Sequence, residues 1–403
     1  MSTLKVDAIR HNSATSDAIT TAADGTCSAK LTSVGGGGLS HRNLAINGAD
    51  MMVAQRGTST TGLQNSGGVY TIDRFAHRRT GTWANALWKD EQVNSGTGLF
   101  KKALKKTTTT AEGSAAASGK FVMIGHYLEV QDTVSAFGDG TAEAKSFTVS
   151  FYVKASIATT YCLHVSTSHL STNKAYMKQF TVNNPNVWER KTCTIPAITN
   201  SIGTRSSQAD SSTGIRFHWV LDAPTRASSQ AADTWFTFTD GDFGYPTGQG
   251  PSGYANTLNA TFELGGVQIE AGTEATELEH RTFVDELAKC QRYFYRFSAD
   301  NGDLMGLGMS VNANNHYMLM LFPQPMRAIP SYTGSSGTNL YFLTQNTTSL
   351  IDTSNMVLSI PPTTPNPDMC IMFGQTSGSG TAGQAALVQS QSDGIKMDYN
   401  AEM

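Results

Sequence analysis

The chain has 403 residues, room for two or three domains, and its net charge is only −3. Charged residues make up 15% of it, well under the ~25% of an ordinary soluble protein, so nothing in its electrostatics favours nucleic acid as a partner. No apolar run approaches the ~18 residues of a membrane span, and "MSTLKVDAIRHNS" lacks the apolar core of a secretory signal, which implies synthesis in cytoplasm. Five cysteines (Cys27, Cys162, Cys193, Cys290 and Cys370) stand far apart. Their odd number and the lack of a CxxC pair argue against a disulfide framework or a cysteine metal site, so they read as small buried apolar side chains.

Residues 1–34 are polar, with Leu4, Val6, Ile9, Ile19, Leu31 and Val34 as their apolar anchors. That is too little to bury a core, so the segment is expected to fold against a partner. An Asp24-Gly25 turn separates two possible strands, and Gly35–Gly38 form a flexible joint. Residues 1–40 are therefore read as a docking segment with its linker.

Residues 41–281 are strand-rich. In "SFTVSFYVK", Phe147, Val149, Phe151 and Val153 share one face, and in "GIRFHWVLDA" Ile215, Phe217, Trp219 and Leu221 do the same. Many short strands of period two, separated by Gly-, Asn- and Ser-rich turns and with no helices between them, predict an antiparallel β-sandwich. The basic run Lys101, Lys102, Lys105 and Lys106 reads as a solvated loop or edge strand.

Residues 282–297 predict a short helix over 283–291 followed by a strand. Thr282 with Asp285 forms a variant capping box, and Asp285 and Glu286 suit the positive end of the helix. Val284, Leu287, Ala288 and Gln291 make a narrow stripe that must pack on the sandwich or on another copy, because so short a helix is unstable alone. "RYFYRF" opens a second β domain, 298–403. Its methionines (Met305, Met309, Met318, Met320, Met326, Met356, Met369 and Met372) suit an irregular core, or else an oligomer axis or an adaptable binding surface.

Three stretches, "NLAINGADMMVAQRGTSTTG…YTIDRFA" at 43–76, "SFTVSFYVKAS" at 146–156 and "LGGVQIEAGTEATELEHRTFVDELAKCQRYFYR" at 264–296, resemble phage tail-fibre proteins, notably those of marine cyanophages. The opening "STLKVDAI" is similar to the start of many such proteins. The resemblance implies a homotrimeric virion fibre. Its N-terminus would dock on other tail proteins (tail tube, nozzle or adaptor) through Leu4, Val6, Ile9, Ile19 and Leu31. A jelly-roll sandwich similar to carbohydrate-binding modules would follow, then a distal tip contacting host polysaccharide or protein. Val284, Leu287 and Gln291 would lie at the trimer axis or the junction. Such modules often hold a structural calcium through an acid in "NGDFE" and an Asp before a "V-x-L-E" strand. Here the matching positions read "NGADMM" and "LGGVQIE", with Gly266 in place of the acid, so no metal is expected.

No GxSxG, HExxH, P-loop or dinucleotide fingerprint is present, and no repeat of the kind that builds a β-helix depolymerase. The chain is read as a non-enzyme without cofactor, although sequence cannot measure the carboxylate spacing that a glycan hydrolase needs. Its nine histidines, including His164, His169 and His218, lack ligand spacing. A saccharide site needs exposed aromatic platforms beside amides or acids. The candidates are Trp83 and Trp88, with Asn85 and Asp90 beside them, then Trp235, Tyr245 and Tyr254, and Tyr317, Tyr332 and Tyr341 in the tip. The competing reading from a different class is a purely structural head, neck or collar fibre, or a fibre adaptor, without receptor contact.

Overall fold

The computed structural model describes residues 42–64, 67–113, 119–223, 230–238, 244–335, 338–344, 348–352, 357–359, 369–375 and 381–403, with short pieces of the first 41: residues 7–10, 18–21, 23, 27–29, 33–34 and 37–38. The chain is nearly all β, and its strands pair antiparallel throughout.

The sandwich is built from β1 (Ser59–Leu63), β2 (Val69–Ile72), β3 (Phe75–Thr80), β4 (Leu87–Asn94), β5 (Lys102–Thr110), β6 (Phe121–Glu129), β7 (Phe147–Ala155), β8 (Thr160–Thr167), β9 (Lys174–Thr181), β10 (Glu189–Ile195), β11 (Thr213–Asp222), β12 (Phe236–Thr237) and β13 (Thr261–Ala271). One sheet runs β10-β7-β13-β5-β4-β1 and the other β12-β9-β8-β11-β6-β3-β2. The chain crosses from one sheet to the other at β1–β2, β3–β4, β5–β6, β6–β7, β7–β8, β9–β10, β10–β11 and β12–β13, which is the winding of a jelly roll. The alternation expected from sequence holds: Phe147, Val149, Phe151 and Val153 from one sheet meet Ile215, Phe217, Trp219 and Leu221 from the other, all fully buried. Phe151 and Trp219 pack edge to face with ring centres 5.7 Å apart.

One helix was not expected. The chain leaves β6 directly into α1 (Val130–Phe137), which buries Val130, Thr133 and Phe137 along one side. Gly138 ends it with φ 63°, its N–H donating to Val134 O, a left-handed turn that glycine adopts without strain. The spacing of the three buried residues, i, i+3 and i+7, is the helical signal that the strand-rich surroundings conceal.

The lysine run corrects another expectation. β5 is an interior strand of its sheet, and Lys106, in phase with the core residue Leu104, is fully buried. Its ammonium donates to Asp90 and lies 2.8 Å from His77 Nδ1 on the opposite sheet. Burial pushes Asp90 up and Lys106 down in pKa, each opposed by the other's charge. A buried lysine is tolerable because it is paired and hydrogen-bonded.

The second core lies in β14 (Phe294–Ala299), β15 (Leu304–Ser310), β16 (Asn315–Leu321), β17 (Ser331–Gly334), β18 (Thr338–Thr344), β19 (Thr348–Asp352), β20 (Val357–Ser359), β21 (Met369–Gln375), β22 (Ala385–Ser390) and β23 (Ile395–Asn400). A three-stranded sheet, β14-β23-β17, accompanies a seven-stranded one, β19-β18-β22-β15-β16-β21-β20. Met305, Met318, Met320, Met326, Met372 and Met397 fill the core with Val388 and Tyr399. Met309 and Met369 are exposed instead, and Met356 lies outside the described residues.

The two cores are fastened at α2 (Phe283–Gln291), whose bounds and cap match the sequence reading: Thr282 Oγ1 accepts from the Asp285 N–H at 3.2 Å. The side it buries within the chain is not the stripe of Val284, Leu287 and Gln291, expected to pack on the sandwich or on another copy. Glu286 and Cys290 are buried, while Val284 is 72% exposed and Leu287 and Gln291 are half-buried. The reason is polar: the Glu286 carboxylate accepts from Asn47 N–H at 2.7 Å and Arg281 Nη1 at 3.1 Å. Just past the helix, Arg292 grips the fully buried Glu129 at the end of β6 through Nε and Nη2, both at 2.7 Å. The Tyr293 hydroxyl adds a third bond to Glu129 at 2.5 Å. Arg296 pairs with Asp398 and donates to Gln55 O at 3.1 Å.

Of the docking candidates, Ile9 and Ile19 sit opposite each other in a three-stranded ladder of Ala8–Ile9, Ile19–Thr21 and Cys27–Ala29, with Ile9 exposed. Leu4, Val6 and Leu31 lie outside the described residues. Cys162, Cys193 and Cys290 are free and buried, and burial raises all three thiol pKa values, Cys193 to about 12.

Candidate functional site

The outer face of the seven-stranded sandwich sheet is divided. Over one half, Phe236, Phe238 and Tyr245 fold back on Phe121, Met123, Cys162, Met177 and Val220 to make a second apolar cluster. The other half is an open cleft of about 360 Å³ lined by Arg78, Arg79, Thr80, Met123, Tyr127, Thr213, Arg216, His218 and Met403. Register brings these residues together. Met123 pairs with Arg78 and Tyr127 with Arg216, so residues from β3, β6 and β11 form one patch on the outward phase of the pleat.

Gly125 shapes this cleft. It pairs with Ala76 on one side and His218 on the other. A Cβ there would lie 2.7 Å from the Tyr127 hydroxyl and 3.2 Å from Arg78 Cγ, so only glycine lets both lean across the strand. The Arg78 guanidinium lies 5.0 Å from the centre of the Tyr127 ring and donates to Met403 O at 2.8 Å. Arg216 Nη2 donates to Ser168 Oγ at 2.6 Å. Tyr127 Oη and His218 Nε2 are 3.2 Å apart. Burial, reinforced by His164, Arg78 and Arg216, holds the His218 imidazole well below its ordinary pKa. Burial also raises Tyr127, against the opposing pull of Arg78 and Arg216. The floor is therefore a neutral Tyr-His pair with a thioether, and the rim carries guanidinium groups. Such a cleft offers planar, multidentate donors above an apolar base, the combination that orients hydroxyl- or oxyanion-bearing ligands.

The aromatic residues picked from sequence lie elsewhere. Trp83, Trp88, Tyr245 and Tyr254 are buried and cannot stack on a saccharide. Trp83 and Trp88 pack edge to face in the core, centres 5.1 Å apart. Their neighbours are also committed: Asp90 holds Lys106, and Asn85 is part of a loop wrapped around Glu112. That carboxylate accepts backbone N–H bonds from Ala84, Asn85 and Ala86 and an ammonium bond from Lys120. Burial would raise its pKa, but these donors outweigh it and hold it at about 2. Tyr245 donates to Leu221 O at 2.9 Å, and Tyr254 joins the central core. Trp235 keeps partial exposure, its ring 5.2 Å from Tyr176. In the tip, Tyr317 is half-buried and Tyr332 packs on Tyr399 with centres 5.5 Å apart. The side chain of Tyr341 lies outside the described residues. None of these aromatics lines the cleft.

The cleft residues went unselected because no one of them is distinctive. The available signal was the polar phase of "GIRFHWVLDA", which carries Arg216 and His218, aligned with the basic "AHRR" of the edge hairpin. Only register shows that the two phases meet.

Among the described residues, no group of three or more His, Cys, Asp and Glu side chains is placed to hold a metal ion. Gly266, at the position of the absent acid, has φ 55°, and a Cβ on it would sit 2.7 Å from the Tyr152 ring. Glycine is required there by backbone and packing.

No protein-family model matches the sequence, and no curated protein matches it either. Among solved structures, the chain is similar to a family 11 carbohydrate-binding module from Clostridium thermocellum in complex with a β-1,3-1,4-mixed-linked tetrasaccharide. The identity is 14%, covering 56% of this chain and 99% of that one, with a TM-score of 0.25. It is similar to the CBM22-1 xylan-binding domain of Xyn10C from Paenibacillus barcinonensis at 10% identity, over 59% of this chain and 100% of that one, TM-score 0.26. A third likeness is to the enzymatically active domain of bacteriophage CBA120 tailspike protein 4, at 10% identity over 60% of this chain and 23% of that one, TM-score 0.29. Scores this low carry no functional weight. The jelly-roll assignment stands on the strand order itself.

Proposed function

We propose that this chain is a phage tail-fibre protein: a homotrimeric, non-enzymatic virion appendage, attached to other tail proteins by its first 40 residues and contacting a host-surface glycan through its distal domains. The observation that carries the reading is the joint. The stretches by which the sequence resembles tail-fibre proteins, 43–76 and 264–296, contain most of the residues that fasten sandwich to tip: Asn47 to Glu286, Gln55 to Phe294 O, and Arg296 to Gln55 O. Arg292 and Tyr293 of the second stretch close on Glu129. A fibre must carry its tip in a fixed orientation, and a buried, multiply bonded charge network supplies that rigidity.

Within this reading, the cleft of Arg78, Tyr127, Arg216 and His218 is the saccharide contact. A single such cleft binds weakly, and three copies on one stalk convert weak contacts to avidity, commonly by ~10²–10⁴-fold. The test is competition: purified full-length chain, added in excess, slows adsorption of the phage to its host, and Arg78→Ala protein does so at least tenfold less well. Equal competition by the Arg78→Ala protein removes the cleft from the reading.

The second reading is a structural fibre or adaptor without receptor contact. It is favoured by the burial of Trp83, Trp88, Tyr245 and Tyr254, which removes four of the expected sugar platforms. Failure of the wild-type chain to compete would select it.

A further inference from the structure

One face of the tip's seven-stranded sheet, where β15, β16, β21 and β22 lie side by side, exposes apolar side chains among the described residues. β15, β16, β21 and β22 contain no Asp, Glu, Lys or Arg at all. Their inward phase supplies the methionine core. On the outward phase, Leu304, Leu307, Met309, Leu319, Leu321 and Leu387 are all exposed, Leu307 to 68% and Leu321 to 61%. The register makes them one surface: Leu307 pairs with Leu387, Met309 with Tyr317, and Leu321 with Met369, which is itself exposed.

Its extent matters. Seven large side chains about half exposed leave roughly 700 Å² of apolar area in one patch. That exceeds the ~300–600 Å² of the largest patch on a typical monomer and approaches the ~800 Å² per partner of a standard protein interface. The surface is also uncharged, so identical copies can approach without repulsion, and a closed symmetric assembly brings the same patch of each copy to a common axis.

We infer that this sheet face is the seam along which copies of the chain associate, and that Leu307 lies near its centre. The placement rests partly on the trimer proposed above, yet the seam does not depend on the number three. It also gives the exposed Met309 and Met369 a role, since flexible thioethers adapt to subunit seams.

Sedimentation equilibrium of the full-length protein tests the inference, beside the Leu307→Glu/Leu387→Glu variant and, should that pair fold poorly, the milder Leu307→Thr/Leu387→Thr. Thermal melting at low protein concentration serves as the folding control. The expected result is a wild-type mass of three copies and at least a hundredfold weaker association in a variant that still melts cooperatively. A mass of two copies upholds the seam and overturns the threefold assembly. A monomeric wild type, or a folded variant that associates as tightly as the wild type, overturns the seam. Adsorption competition by a monomeric wild type would still leave the host-binding reading standing.

Discussion

Arg292 closes on Glu129 with two parallel hydrogen bonds of 2.7 Å each, joining the residue after α2 to the end of a sandwich strand 163 positions earlier in the chain. Glu129 is fully buried and also accepts from Tyr293 and Gln131, so the pair is the hinge pin between the two cores. Removing one partner of a buried pair leaves a stranded charge, typically ~3–5 kcal/mol. Partial exposure of Arg292 puts Arg292→Ala at the low end, about 3 kcal/mol by urea unfolding. Limited proteolysis of that variant should cut between the two cores where the wild type resists. An unchanged cleavage pattern would show that the joint does not need this pair.

Lys106 and Asp90 offer a test inside the sandwich. Lys106→Met alone strands the Asp90 carboxylate and should cost about 3–5 kcal/mol. The double change Lys106→Met/Asp90→Val replaces ions with apolar groups and should regain most of that loss. Denaturant midpoints of four proteins decide it, the wild type, each single variant and the double. Additive losses in the double variant would mean that the two side chains do not act as a pair.

Glu112 predicts a pH signature. Its folded pKa of about 2 lies below the ordinary carboxylate value of 4.5. The stability it contributes is therefore complete above about pH 4.5 and is lost as pH falls toward 2. Glu112→Gln should cost about 2–3 kcal/mol at neutral pH, since several bonds to a charge are lost. The gap between wild type and variant should close between pH 4.5 and 2. A gap that stays constant across that range would rule out the carboxylate as the loop's anchor.

The cleft is tested by its glycine. Gly125→Val drives a side chain into the space that Tyr127 and Arg78 occupy, so retention of the protein on immobilised host envelope polysaccharide should fall at least tenfold. Gly265, on β13 of the other sheet, serves as the control, because its space is taken by Phe100. Gly265→Ala should lower the melting temperature and spare retention. Equal retention by the Gly125→Val protein would place any saccharide contact elsewhere.

Much of the fold could be read from residue patterns. Strict alternation at 147–153 and 215–221 named both walls of the core, because a two-sided pleat forces period two wherever one side is dry. The Thr282 cap and the bounds of α2 followed from local chemistry alone. Where the structure departs from the sequence pattern, the missing knowledge is which residues are paired in space. Lys106 reads as a solvent residue until Asp90 and His77 are seen beside it. Val284 and Leu287 read as a stripe to be packed on the sandwich or on another copy, and the side that meets the sandwich is instead set by Glu286 holding Asn47. The cleft is invisible for the same reason, since Arg78, Tyr127 and Arg216 converge only through the register of three strands. The tryptophans misled because a large ring serves core and sugar platform equally well, and burial alone separates the two uses.

The central claim, that this chain is a virion appendage, is most directly tested by electron microscopy of phage particles carrying a gold-labelled tag on the chain. The account predicts label on fibres at the tail, with the tip core farther from the particle than residues 1–40. Label confined to the soluble fraction of infected cells, with none on assembled particles, would contradict it.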